Sequence, residues 1–337
     1  MKKFLSSLLR PLAALIRPVC RYGISLLCLI YAFKGVPLAD LWAVMRNLPV
    51  APMILAVALS FVAYAVIGVR LMFMLVPHLR FLPCYCASLV GLALNNVLPA
   101  KAGEIAMAAW ISRVGVKRAH PCADADTRTS CPSHNVPFNT SLGMVFMGRF
   151  MDVNALGLLS LWFLWDWGQR RTAATMAACL VAGWAILLLL RRRPSLAALW
   201  GKLPLPAKIT DFLTRFTMSL VEQMSPRRLA WTAASTAVLW SLYALGSWIT
   251  LNMIAKLGLD MSGVIGVFAL SSLGMLLPSS PGALGVYEAV MVTALCAYGA
   301  PRDQALAITL FSHMAQFIPV TLVGGLIFLA FPTRRMR

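Results

Sequence analysis

Apolar runs of about 20 residues, each long enough for a helix to cross a hydrocarbon core of roughly 30 Å, recur along the chain between short polar or basic stretches. The pattern predicts six full spans, over about residues 22–41, 51–76, 140–165, 172–190, 229–252 and 304–330. Two further apolar stretches are interrupted. The first runs from about 82 to 98, carries Asn95 and Asn96, breaks at Pro99 and resumes over 103–115. The second runs from about 262 to 277, breaks at Pro278, Pro281, Gly282 and Gly285, and resumes over 286–299. A helix of about 13 residues at 1.5 Å each reaches only about 20 Å, so each broken stretch reads as a re-entrant hairpin returning to its own side. The expected fold class is therefore an all-α integral membrane protein. It has about six spans plus two Pro/Gly-broken hairpins, in one transmembrane domain over 1–337.

The two breaks sit at the same place in two halves of the chain, 22–165 and 172–330. The first reads LPAKAGE, Leu98 to Glu104, and the second LPSSPGALGVYE, Leu277 to Glu288. Both contain Leu-Pro-x-x-x-Gly followed by an acidic residue. In each half two spans precede the hairpin and one follows it. Three spans per half is odd, so the halves are expected to be inverted relative to each other, a recurring transporter plan.

Composition supports the class: 60% of residues are hydrophobic and 12% charged, where soluble domains carry about a quarter charged. The net charge of +19 raises nucleic acid as a partner, but the placement of the charges argues for a membrane instead. On the hairpin topology, one side collects five Lys and Arg before residue 22, Arg80, four in 113–138, eight in the basic 191–228 loop and three in the tail. The other side holds Lys34, Arg46, Arg170, Arg171, Lys256 and Arg302. The richer side is expected to be cytoplasmic, which places both termini inside a cell inner membrane. Residues 1–21 carry too many Arg for a secretory signal and read as a basic amphipathic segment on the inner leaflet.

Charged residues at membrane depth mark candidate chemistry, because each costs roughly 2.5–3.5 kcal/mol to insert. Around the first break, Asn95, Asn96, Lys101 and Glu104 flank Pro99 and Gly103, and Lys101 and Glu104 are spaced to pair if helical. Broken backbone at depth is tolerated against protein or a watery cavity. The alternative is a plain surface loop. Around the second break, Ser279 and Ser280 offer hydroxyls, and Glu288 can either cap the following helix or bind a cation or proton. Arg149 and Asp152 lie three apart and form either a self-satisfied pair or a substrate contact. Arg70 needs a partner on another element. His313 and Gln316 share a face of the last span, where a His is a bundle hydrogen bond or a relay.

The loop HPCADADTRTSCPSH places His120, Cys122, Cys131 and His134 where four zinc ligands could stand, although a loop without metal is the simpler reading. No Walker loop, Rossmann fingerprint or nucleophile motif appears, so no cofactor and no ATP-driven step is expected.

The motifs resemble the lysylphosphatidylglycerol synthase transmembrane, or flippase-like, family. NNVLPAKAGEIAMAAWISRVG is similar to its N-x-x-P-x-x-x-G-E stretch through Asn96, Pro99, Gly103 and Glu104. LPSSPGALGVYEAVMVTAL is similar to its P-x-S-P-G-G-x-G-x-x-E stretch through Ser280, Pro281, Gly282, Gly285 and Glu288. MGRFMDVNALGLL resembles its E-R-x-x-D segment through Arg149 and Asp152, with Gly148 where the family commonly has Glu. His313 lies near a position the family often fills with Arg. The resemblance implies movement of lipids or lipid-linked sugars, without the soluble aminoacyltransferase domain some members carry.

The expected function is thus translocation of a lipid or lipid-linked substrate, with anionic head groups as partners, a coupling ion in play and no chemical catalysis. The candidate binding residues are Asn95, Asn96, Lys101, Glu104, Arg149, Asp152, Ser279, Ser280 and Glu288. A membrane subunit of a lipid head-group modifying enzyme and a non-catalytic scaffold stand as the alternatives.

Overall fold

The computed structural model describes residues 22–74, 79–113, 136–276 and 280–331. Among these the chain is helical and contains no strand. The helices are α1 (Tyr22–Phe33), α2 (Leu38–Arg46), α3 (Val50–Phe73), α4 (Phe81–Val97), α5 (Gly103–Arg113), α6 (Phe138–Asp166), α7 (Arg170–Arg192), α8 (Ala207–Gln223), α9 (Pro226–Trp248), α10 (Met261–Gly274), α11 (Val286–Ala297) and α12 (Arg302–Ala330). A π turn, Ile249–Ile254, prolongs α9.

Five helices are long and apolar enough to cross a membrane: α3, α6, α7, α9 with its π turn, and α12. They fall where the apolar runs predicted spans. The span expected over 22–41 is instead two helices, α1 and α2, bent by 78°. Gly35 at φ 75° takes the left-handed conformation that ends a helix, and Pro37, which lacks an N–H, starts the next one. The basic 191–228 stretch is also not a plain loop. There α8 folds back onto α6, and a 3-10 segment, Pro194–Lys202, packs on α8 and α7. Thr217, Ser219, Leu220 and Gln223 are buried, while Asp211 and Arg215 pair on the exposed side. Eight Lys and Arg over 191–228 mask the apolar face of α8 in the sequence.

The bundle has two apolar cores. One joins α3, α4, α5 and α6, with Ile67, Met107, Ile111 and Met144 wholly buried. The other joins α2, the π turn, α10, α11 and α12, around Leu251, Val264, Leu295 and Leu306. Large apolar side chains on α1, α3, α7 and α12 point outward, among them Leu27, Ile54, Val181 and Leu329. Such faces are stable in lipid rather than water.

The helices α4 and α12 hold the halves together at a close crossing. A Cβ on Gly324 would lie 2.3 Å from the Leu89 carbonyl oxygen and 2.7 Å from the Ala93 Cβ. Small residues let helix backbones approach in this way. Gly325, one residue on, faces open space. Gly324→Leu is therefore expected to lower stability by about 1–3 kcal/mol through overpacking. Gly325→Leu is expected to leave it unchanged. Denaturation midpoints of the purified protein in detergent compare the two, and equal midpoints would mean that the crossing does not bear on stability.

Candidate functional site

Proline and glycine shape both breaks. Leu98 precedes Pro99 and is extended, as a residue before proline must be, so α4 ends there. A short turn, Pro99–Lys101, leads into α5. The turn back is tight. A Cβ on Gly103 would sit 2.0 Å from the Gly91 carbonyl oxygen of α4, so only glycine fits. In the second break Ser280 is extended before Pro281, and the turn Pro281–Ala283 leads toward α11. Gly285 has φ 88°, and a Cβ there would lie 2.0 Å from the Ser25 carbonyl oxygen of α1. The Ser280 N–H donates to Ser25 Oγ at 3.0 Å, anchoring this tip to α1.

The two tips meet. Pro99–Lys101 contacts Pro281–Ala283, and Gly282 packs against Phe317 and the Asn96 carbonyl. Asn96 in turn donates to Thr321 Oγ1 at 2.8 Å, tying the first tip to α12. Around this meeting point opens a cavity of about 810 Å³, in the range of small-molecule sites. One wall is apolar, with Trp240, Phe268, Phe311 and Phe317. The other carries Lys101, Glu104, Arg149 and Asp152.

The charged wall is a network across several helices. Arg70 on α3 grips Asp152 on α6 with two hydrogen bonds, Nη1 to Oδ1 at 2.7 Å and Nη2 to Oδ2 at 3.0 Å. Its Nη1 also donates to Thr236 Oγ1 on α9 at 3.1 Å. Arg149 donates to Asp152 Oδ2 at 3.2 Å and to Glu104 Oε1 on α5 at 2.8 Å. Asn95 Nδ2 donates to the same Glu104 oxygen at 2.9 Å. Two guanidiniums and two carboxylates thus neutralise one another, with Arg70 and Asp152 almost fully buried. Lys101 is not in the network. It does not pair with Glu104: Arg149 and Asn95 share Oε1 of that carboxylate, Oε2 is buried without a partner, and Lys101, at φ 53°, stands in the turn before α5. Its exposed ammonium lines the cavity without an ion pair among the described residues.

Behind the second tip lies a separate pair. Glu288 Oε2 accepts the Gly285 N–H at 2.6 Å, which is the capping role, and its Oε1 lies 2.5 Å from His313 Nδ1. His313 Nε2 lies 2.9 Å from the Gly282 carbonyl oxygen. The His313 ring also stands 4.7 Å from that of Tyr287.

Of the residues proposed from sequence, Asn95, Asn96, Lys101, Glu104, Arg149, Asp152 and Ser280 all line the one cavity. Glu288 stands behind it and reaches it through His313. Pro278 and Ser279 fall outside the described residues, as do His120, Cys122, Cys131 and His134. Among the described residues no group of three or more His, Cys, Asp or Glu is placed to hold a metal. Sequence reasoning missed Ser25, Thr236 and Thr321, whose hydroxyls hold the tips and Arg70. Nothing sets them apart along the chain from other helical Ser and Thr.

Residues 19–324 match the family described as lysylphosphatidylglycerol synthase TM region. The chain belongs to this family. With its long apolar helices, it is a multi-pass membrane protein. A comparison with curated proteins finds no match. A Cβ on Gly148 would lie 3.2 Å from the Arg70 guanidinium, so the absent side chain leaves the space that Arg70 fills in reaching Asp152.

Removing one member of a buried ion pair strands the other and costs about 3–5 kcal/mol. Asp152→Asn is expected to destabilise by that amount. Arg70→Met combined with Asp152→Leu is expected to recover most of the loss, since no buried charge is then left between those two positions. Equilibrium denaturation of the single and double variants measures both. A double variant as unstable as Asp152→Asn would contradict the pairing.

Proposed function

We propose that this chain moves a lipid carrying a single anionic phosphate between membrane leaflets. The head group sits in the cavity and the acyl chains remain in the surrounding lipid. The observation that carries this reading is the charge balance of the cavity wall. Arg70, Arg149, Glu104 and Asp152 cancel, and Lys101 remains as an exposed cation. A phosphate monoanion supplies the missing charge, and an ammonium binds it through charge-assisted hydrogen bonds. The cavity size suits a head group, and its aromatic wall suits the glycerol and first methylenes.

Transport is favoured over head-group chemistry because the carboxylates at the site are tied into contacts that hold the bundle: Glu104 Oε1 to Asn95 and Arg149, Asp152 to two arginines, and Glu288 to His313 and the Gly285 N–H. Glu104 Oε2, which has no hydrogen-bond partner among the described residues, is buried away from solvent. The family description, lysylphosphatidylglycerol synthase TM region, supports a phospholipid as the substrate class. Helices α5, α10 and α11, of 11 to 14 residues, reach roughly 16–21 Å and fall short of the bilayer core. This supports reading the two broken pairs as re-entrant hairpins entering from opposite sides, an inverted repeat whose tips meet near the midplane. The Lys and Arg excess supports an inner-membrane location with both termini in the cytoplasm.

The test is reconstitution into liposomes containing acyl-labelled phosphatidylglycerol, with an impermeant reductant added outside. Protein-containing vesicles are expected to lose nearly all of the label, and protein-free vesicles only the outer-leaflet half. Lys101→Ala is expected to slow exchange about tenfold or more, the worth of one charged hydrogen bond, and Lys101→Arg to retain most of it. Protection of the inner leaflet in both preparations would sink the proposal. A new lipid species in cells making the protein would point to head-group modification instead.

A further inference from the structure

The hydrogen bonds around His313 count protons. The Gly282 carbonyl can only accept, so Nε2, 2.9 Å away, must carry a hydrogen. Glu288 Oε2 faces the Gly285 N–H and must accept. That leaves Nδ1 and Oε1, 2.5 Å apart. Without a hydrogen between them a ring lone pair would face a carboxylate oxygen, with a net negative charge in a site where His313 and Glu288 side chains are 2% and 1% exposed. The observed arrangement therefore requires one shared proton, whether as imidazolium and carboxylate or as imidazole and carboxylic acid.

No other charged side chain among the described residues bonds to this pair. The described part of α1, and α4, α10 and the π turn, carry no Asp, Glu, Lys, Arg or His. Asp40 and Arg46 on α2 are exposed, and Arg70 on α3 is engaged with Asp152. On α12 itself Arg302 is bonded to the Tyr31 carbonyl, and Asp303 stands in the first turn. Tyr287 is the titratable neighbour in contact with the ring. Lys101, Glu104, Arg149 and Asp152 lie on the charged wall of the cavity that His313 also lines.

The same ring that holds the proton holds the tip. If the shared proton leaves, Nδ1 and Oε1 repel. Relief comes from the ring turning or from moving its hydrogen from Nε2 to Nδ1, and either change gives up the Gly282 carbonyl. Gly282 belongs to the turn that touches the first tip and lines the cavity. We propose that Glu288 and His313 form the binding site of a coupling proton, whose release frees the second tip from His313. This rests on the transport reading above and extends it to the driving ion. The proton arrives from cavity water, is shared by Nδ1 and Oε1, and returns to water when the tip moves. No other bond is made or broken.

The test uses the full-length chain in liposomes of phosphatidylcholine with a minor fraction of acyl-labelled phosphatidylglycerol. Membrane potential is clamped by potassium and valinomycin, and a pH difference of one unit is imposed. With one proton per lipid, the leaflet distribution of label is expected to shift by about tenfold and to reverse when the gradient is reversed. His313→Gln and Glu288→Gln are expected to abolish the shift. Label that equilibrates between leaflets at the same ratio with and without the gradient would overturn the proton site while leaving transport intact. A shift that persists in either variant, purified as a folded species, would also overturn it. Absence of exchange under all conditions would instead reject transport itself, and the coupling with it. Should the variants not fold, 15N-histidine spectra of a chain with His78, His120 and His134 replaced by Gln report on His313 alone. The expected ring has Nε2 protonated and Nδ1 hydrogen-bonded, and a ring with Nε2 bare would overturn the assignment.

Discussion

The charge network on α6 is the constraint on which the rest of the structure depends. An arginine in a hydrocarbon environment is tolerated only when its donors are met by acceptors and its charge by an opposite charge. Arg70 meets both conditions by reaching from α3 to Asp152 on α6 and Thr236 on α9. Arg149 meets them by reaching to Asp152 and to Glu104 on α5. Satisfying two guanidiniums therefore draws four helices together and sets where α5, and with it the first tip, must lie. Gly148 belongs to the same solution, since it leaves the space the Arg70 side chain fills.

The second constraint is backbone. A helix broken inside an apolar bundle exposes N–H and C=O groups that need partners. At the second tip these come from Ser25 on α1, Glu288 on α11 and His313 on α12. At the first tip Asn96 bonds to Thr321 on α12. Each tip is thus held by side chains from remote helices, and a tip held by few bonds can change position when one is altered. The charge network and the tip contacts converge on one cavity.

Much of this was legible in the chain. The five long spans follow directly from apolar runs, and the two breaks from Pro99, Gly103, Pro281, Gly282 and Gly285, because these residues act through their own backbone. The need of Arg70 for a partner also follows from local reasoning, since charge at membrane depth is costly wherever it occurs. Spacing along the chain gives the Arg149–Asp152 pair but not the partner of Glu104. Lys101 and Glu104 are spaced to pair, yet Glu104 turns to Arg149, 45 residues away. His313 makes a bundle hydrogen bond, one of the two readings open for a His on the last span, and its partners, Glu288 and the Gly282 carbonyl, lie on other elements. The bend between α1 and α2 is masked in the sequence because the apolar run continues through it, although Gly35 and Pro37 mark the place.

The division has a physical cause. Hydropathy, helix length and backbone breakers are properties of a residue and its immediate neighbours, so the sequence alone determined the membrane class, the spans and the positions of the breaks. Ion-pair partners, the meeting of the tips and the sharing of a proton between Glu288 and His313 depend on which helix faces bury together. That choice is made by packing over the whole bundle, where Gly324, Gly103 and Gly285 admit close contacts no local rule anticipates. The tertiary structure alone therefore decided that two broken helix pairs, far apart in the chain, enclose one charged cavity.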